Sequence, residues 1–230
     1  MEAPGITRVR EIPEGSLRRL PMYYHTLKER LLAGAGANVS CAMIGRDLGL
    51  DATQVRKDIE MTGIVGKPKV GYPLIDLIGS IEEFLGWNRP KRAFLAGAGS
   101  LGSALLGYER FRQHGIDFVA AFDTDPEKIG QFIHGTKVRA LSVVPSLARR
   151  MDVHLGVIAT PARVGQFVAD LMIHSGIRAI WNFAPVHLRV PDSVILQNAD
   201  LYDSLASLSF KLEKAIPMRG TKKRKQPCRK

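Results

Sequence analysis

Cysteine is scarce: only Cys41 and Cys228 occur among 230 residues. Neither belongs to a Cys-x-x-Cys pair. That excludes a disulfide framework and a zinc finger, and a reducing, cytoplasmic setting is expected. No apolar run reaches the roughly 18 residues a membrane span needs. The opening stretch carries Glu2, Pro4, Arg8 and Arg10 before any apolar block, so no signal peptide is expected. Acidic residues are missing from Met218 to Lys230, which holds seven Lys and Arg. That stretch supplies seven of the eleven net positive charges, and it reads as a solvated tail able to lend salt-dependent affinity for a polyanion. The whole chain is 45% apolar and 24% charged, an ordinary globular balance that excludes wholesale disorder.

A composition shift at Gly86-Trp87-Asn88-Arg89-Pro90 marks a domain boundary. Upstream, Leu20, Tyr24, Leu27 and Leu31 follow a helical period, and Ala33 to Gly36 ends that helix. Ser40 reads as the N-cap of a second helix with Met43, Ile44 and Leu48 apolar, closed by Gly49. Asp51 starts a third, with Gln54 three residues on as a capping-box pattern. Val55 and Ile59 point to its core side, leaving Thr53, Gln54, Arg56 and Lys57 outward. Two short helices joined by a glycine turn, the second basic outside, form a helix-turn-helix pattern. Strand-prone residues then flank a Lys67-Pro68-Lys69 tip between Gly63 and Tyr72, as in the β-hairpin of a winged helix. A basic surface loop in another helical domain would give the same pattern.

Downstream, Lys91 to Ala96 reads as a strand, followed at once by Gly97-Ala98-Gly99-Ser100-Leu101-Gly102 and a helix to about Gln113. The next strand, from Asp117 to Phe122, ends in Asp123. This is GxGxxG between strand and helix with an acid about 20 residues on, the arrangement that binds a dinucleotide. The glycines permit the turn, the approach of pyrophosphate and the close packing of the helix. Asp123 would accept from ribose hydroxyls, and Thr124 rather than an arginine follows it, so NAD(H) is expected over NADP(H). Further strands, Leu155 to Ala159 and Ala179 to Phe183, end at Thr160-Pro161 and Ala184-Pro185. Ligands of parallel sheets lie at strand carboxyl ends, so Thr160, Pro161, Asn182, Phe183, Ala184 and Pro185 are candidates to line the cofactor. Val194 to Leu196 reads as a last strand, and Leu201 to Ala215 as an amphipathic helix that must pack on something.

No HExxH or Lys-Tyr catalytic spacing stands out, and too little chain follows the last strand for a substrate domain. A dinucleotide that is read rather than consumed is expected, with no enzyme activity and no metal. Two other classes remain open: a DNA-binding regulator whose second domain senses another nucleotide or only dimerises, and a small nucleotide-dependent oxidoreductase.

Four blocks carry a family resemblance: Gln54 to Asp58, Gly97 to Leu106, Ala120 to Gly130, and Asn182 to Val186. Over about residues 17–215 the chain resembles the redox-sensing transcriptional repressor Rex family. The resemblance implies an α/β chain with an N-terminal winged helix-turn-helix domain, a C-terminal Rossmann doubly wound parallel sheet and a C-terminal swapped helix. Its divisions are an arm at 1–16, the winged helix at 17–86, the NAD(H) domain at 87–200, a dimerisation helix at 201–216 and a basic tail at 217–230. It implies a homodimer on a roughly palindromic double-stranded DNA operator, released when NADH closes the dimer. Ser40, Thr53, Gln54, Arg56, Lys57, Lys67, Lys69 and Tyr72 are the expected DNA-binding residues. A cross-subunit network is implied at Tyr108 and Asp200, where His25 replaces an arginine of the family. Glu60-Met61-Thr62-Gly63 and Pro68-Lys69 also depart from the family pattern.

Overall fold

Local capping explains how the N-terminal helices start and stop. In the computed structural model, which describes residues 12–199 and 201–216, helix α1 spans Glu14–Leu32. A two-residue strand β1 (Asn38–Val39) leads to α2 (Cys41–Leu48), whose N-cap Ser40 accepts from the Met43 amide. Gly49 closes α2 in the left-handed conformation, at φ 66°, which glycine adopts without steric cost. Helix α3 (Ala52–Glu60) is capped by Asp51, which accepts from the Thr53 and Gln54 amides. Strand β2 (Tyr72–Pro73) pairs antiparallel with β1, and α4 (Leu74–Phe84) follows. Leu20, Tyr23, Leu27, Ile44, Val55, Ile59, Leu77 and Ile81 are fully buried between these helices. Leu31 is not among them; it is 40% exposed.

Two expectations need correction here. The wing is not a hairpin of two flanking strands: one bridge, Lys67 to Gly71, closes a tight turn, and Tyr72 pairs with β1. The capping box at Asp51 is half formed, because the Gln54 side chain donates to Asp58.

The remaining elements are β3 (Lys91–Ala96), α5 (Ser100–Gly107), α6 (Glu109–Gln113), β4 (Ile116–Asp123), β5 (Phe132–Ile133), β6 (Thr136–Ala140), α7 (Val144–Met151), β7 (Leu155–Ile158), α8 (Ala162–His174), β8 (Ala179–Asn182), β9 (Ile195–Asn198) and α9 (Leu201–Ala215). Sheet order is β5-β6-β4-β3-β7-β8-β9. β3 with β7, β4 with β6, β7 with β8 and β8 with β9 are parallel, while the edge strand β5 is antiparallel. The order reverses at β3 and β7, which opens a crevice at their carboxyl ends. The single helix expected to Gln113 is broken, because Tyr108 takes an extended conformation between α5 and α6.

The described residues fall into two compact units. One holds those up to Lys91 together with Glu109–Asp117; the other holds Arg92–Tyr108 and those from Phe118 onward. Parts of the N-terminal arm and the basic tail, and Asp200, lie outside the described residues.

Candidate DNA-binding face and dinucleotide crevice

The N-terminal unit presents a concavity of about 880 Å³, walled by α2, α3 and the wing turn. Thr53, Arg56, Lys67 and Lys69 line it, and all four are exposed. Lys57 is exposed on the same helix. Ser40 and Tyr72 also line it, and with Gln54 they make contacts within the scaffold as well. Ser40 spends its hydroxyl on the Met43 amide. Gln54 is half-buried and bonded to Asp58. Tyr72 is buried, with its ring against Gly66, so it supports the wing and does not stand out from it.

The wing tip is a four-residue turn, closed by the Val70 amide donating to the Lys67 carbonyl at 3.1 Å. Its third residue, Lys69, has φ 63°. A turn with Pro second and positive φ third favours glycine there. A lysine held in that conformation costs on the order of 1 kcal/mol, and such strain gathers at functional positions.

Beneath this face lies a buried charge that sequence reasoning missed. Asp58 on α3 is fully buried. Arg19 of α1 meets it with two donors, Nε at 2.7 Å and Nη2 at 3.0 Å. Tyr23 donates at 2.7 Å and Gln54 at 3.0 Å. Burial pushes the carboxyl pKa up, but the bonds from Arg19, Tyr23, Ser16 and Gln54 outweigh it and hold it at about 2. Four donors on one buried acceptor fix how α3 sits on α1.

In the second unit the glycine loop is drawn tight against the sheet. Gly97 has φ 96°, and a Cβ there would lie 2.5 Å from the Ala159 carbonyl oxygen. A Cβ on Gly102 would overlap the Gly97 carbonyl oxygen. Gly99 differs: nothing in the protein lies within 4 Å of its added Cβ. Ser100 and Leu101 are exposed at the start of α5, while Ala98 is buried. Asp123 Oδ2 accepts from the Ala98 amide at 2.9 Å, so it organises the loop as well as facing the expected ribose position.

Of the other candidates, Thr160 is 9% exposed and its Oγ1 is buried without a hydrogen-bond partner. A buried hydroxyl left unmatched beside the loop suits a missing ligand group. Asn182 is fully engaged: its Nδ2 donates to Ala184, Val186 and Asn198, and its Oδ1 accepts from Ala184. Ala184 is buried under Gly165. These two hold the turn, while Phe183 is half-buried and Pro161 and Pro185 are exposed. Among the described residues no cluster of His, Cys, Asp or Glu could hold a metal ion, and no helix is long and apolar enough to cross a membrane.

His25 stands in a separate aromatic group of the first unit. Its ring lies 5.5 Å from Tyr24 and 5.8 Å from His114, and His114 lies 4.1 Å from Trp87. Burial lowers the His25 pKa, and the charges of Arg110 and His114 lower it further against Glu29. Tyr108 is half exposed in the other unit.

A winged-helix face and a glycine-loop crevice in one chain define a nucleotide-responsive DNA-binding regulator. Comparisons with known proteins agree. Residues 88–186 match the CoA binding domain model, and residues 11–59 match a putative DNA-binding protein N-terminus. The redox-sensing transcriptional repressor Rex of Treponema denticola is 45% identical over 193 residues, covering 84% of this chain and 91% of the relative. Rex of Pelotomaculum thermopropionicum is 42% identical, covering 88% and 94%. The structure of RSP, in complex with β-NAD⁺ and operator DNA, superposes with a TM-score of 0.85 at 31% identity, covering 90% of this chain and 95% of that one. RSP with β-NADH gives 0.80 at 31%, covering 90% and 97%. The chain belongs to the Rex family of redox-sensing transcriptional repressors.

Proposed function

We propose that this chain binds a roughly palindromic operator as a homodimer in the cytoplasm and that NADH, taken up at the glycine loop, closes the dimer and releases the DNA. The carrying observation is Asp123, pinned to the Ala98 amide at the mouth of the glycine crevice, with the unmatched Thr160 hydroxyl beside it. Gly99, Ser100, Leu101 and Pro161 would meet the pyrophosphate end, and Phe183 and Pro185 the nicotinamide end. NAD⁺ carries a charged ring and NADH a neutral one. An apolar lining at that end favours the neutral ring, because burying a charge is costly. The exposed stripe of α9, with Leu205, Leu208 and Leu212 each more than half exposed, supports a second copy of the chain as its cover. The test is a mobility shift on the DNA upstream of the chain's own gene. NADH should release it and NAD⁺ should not; equal effects of the two would overturn the reading.

Arg56 suits bidentate contact with a guanine, whereas Lys67 and Lys69 suit phosphate. Arg56→Ala should cost about 1–3 kcal/mol of binding and relax one operator position. Lys69→Ala should weaken all sequences alike and flatten the salt slope. Lys69→Gly should lose the same affinity with no loss of fold stability, since glycine suits φ 63°. A destabilised Lys69→Gly protein would show that the turn is not strained.

His25 would tune closure through its charge. Its lowered pKa leaves the imidazole neutral at pH 7, so the arginine-like charge of the family is absent there. Protonation gains ground only as pH falls below about 6.5. Lys28, Glu29, Arg110, His114 and Tyr24 surround the same recess. NADH-driven release should therefore need more NADH at pH 5.5 than at pH 7.5, and His25→Arg should need more at both. A His25→Arg protein with the wild-type pH response removes His25 from the switch.

A further inference from the structure

Lys128 reaches the carboxylate of Asp123, the group expected to hold the adenosine ribose. Asp123 Oδ1 accepts from the amides of Thr124, at 2.8 Å, and Asp125, at 3.0 Å. Its Oδ2 accepts from the Ala98 amide at 2.9 Å and from Lys128 Nζ at 3.5 Å. Three of these donors are backbone and fixed. Lys128 makes the longest contact, and it is the only one on a flexible side chain. Lys128 also reaches Asp125 at 3.3 Å. The bond with Asp125 and the charge of Asp123 raise its pKa, so the ammonium keeps its proton. A ribose hydroxyl donating to Asp123 Oδ2 therefore displaces Lys128 and nothing else.

Resting on the NAD(H) reading above, we propose that Lys128 is a specificity-determining residue for the ribose 2′ position: it offsets the rejection of a 2′-phosphate that Asp123 would otherwise impose. The physical contrast lies in what each ligand offers. A 2′-hydroxyl can donate to Asp123, and it leaves Lys128 free to turn to solvent. A 2′-phosphate cannot donate and is repelled by Asp123 and Asp125 at short range. Lys128, already within reach of both carboxylates, is the one cation among these groups that can turn to pair with it. Discrimination against NADPH is thus the balance of a fixed carboxylate and a movable ammonium on one site.

The test is calorimetric titration of the full chain with NADH and with NADPH, for wild type, Lys128→Ala, Lys128→Gln and Lys128→Arg, at low and high salt. Lys128→Ala and Lys128→Gln should raise the NADPH-to-NADH ratio of Kd values about tenfold, by weakening NADPH while leaving NADH equal or tighter. Lys128→Arg should keep the wild-type ratio. High salt should shrink the difference between Ala and wild type, since the site is partly exposed. If wild type binds NADH and the ratio stays the same in Ala and Gln, Lys128 is not a specificity residue and the proposal falls alone. Equal weakening of both dinucleotides would overturn it too, because that would be a structural role. If wild type binds neither dinucleotide, the NAD(H) reading falls and takes this inference with it.

Discussion

Asp58→Ala should unfold the N-terminal unit at markedly lower urea concentration, with a loss of about 3–5 kcal/mol. Removing one partner of a buried ion pair leaves the others unmatched. Tyr23 would keep a buried donor, and Gln54 a half-buried one, without an acceptor. Arg19, with a quarter of its side chain in solvent, can recover part of its hydration, so the lower half of that range is expected. Trp87 fluorescence in a Trp181→Phe background isolates this unit. Operator affinity should fall in parallel, since α3 loses its anchor to α1. The pH dependence has a definite sign. The folded carboxyl is held at about 2, below its ordinary value near 3.9. Its stabilisation is complete above about pH 4 and is lost as pH falls toward 2. Asp58→Asn should therefore flatten acid unfolding over that window. An unchanged urea midpoint in Asp58→Ala would show that the buried network contributes nothing.

Gly102→Ala and Gly99→Ala should damage the crevice by different routes. At Gly102 the new methyl overlaps the Gly97 carbonyl, so α5 must leave the strand it packs on. Overpacking of that kind costs typically about 1–3 kcal/mol, and NADH affinity should fall at least about 100-fold because the loop no longer closes. At Gly99 the protein offers no obstacle within 4 Å. The melting temperature should stay put while NADH affinity drops, because in the proposed binding mode the methyl would meet only the pyrophosphate. A Gly99→Ala protein that binds NADH as well as wild type would place the pyrophosphate elsewhere.

Local chemistry made the first two caps legible. Ser40 and Asp51 each bond within three residues, so their neighbours alone disclose them. The glycine loop was legible for the same reason, since strand, loop and helix are contiguous. Strand β6 was not: Thr136 to Ala140 is only five residues long and opens on two polar residues, Thr136 and Lys137, which blurs the alternation. The β1 partner of Tyr72 was not either, since two residues carry no periodicity and the pairing spans more than thirty positions. Asp58 hid most fully. Its one trace was an acid between Val55 and Ile59 on the buried side of α3, with Arg19 and Tyr23 one turn apart on α1. Only the packing of α1 against α3 shows that these belong together. Asn182 and Ala184 sat in a recognisable block, but whether a residue holds a turn or touches a ligand depends on hydrogen bonds that spacing does not reveal.

The chain crosses between its two units at Lys91, again at Tyr108 and again at Asp117. The DNA-binding unit is therefore not a module that a single cut can free. A fragment ending at Lys91 would forfeit Glu109–Asp117, and with it the His114 ring against Trp87 and the Gly115 carbonyl that accepts from the Lys91 amide at 2.6 Å. Grafting the winged helix onto another sensor would require carrying this inserted segment along. Exchange of parts between such regulators by simple end-to-end fusion is thereby disfavoured, and the two halves are expected to be inherited as one piece.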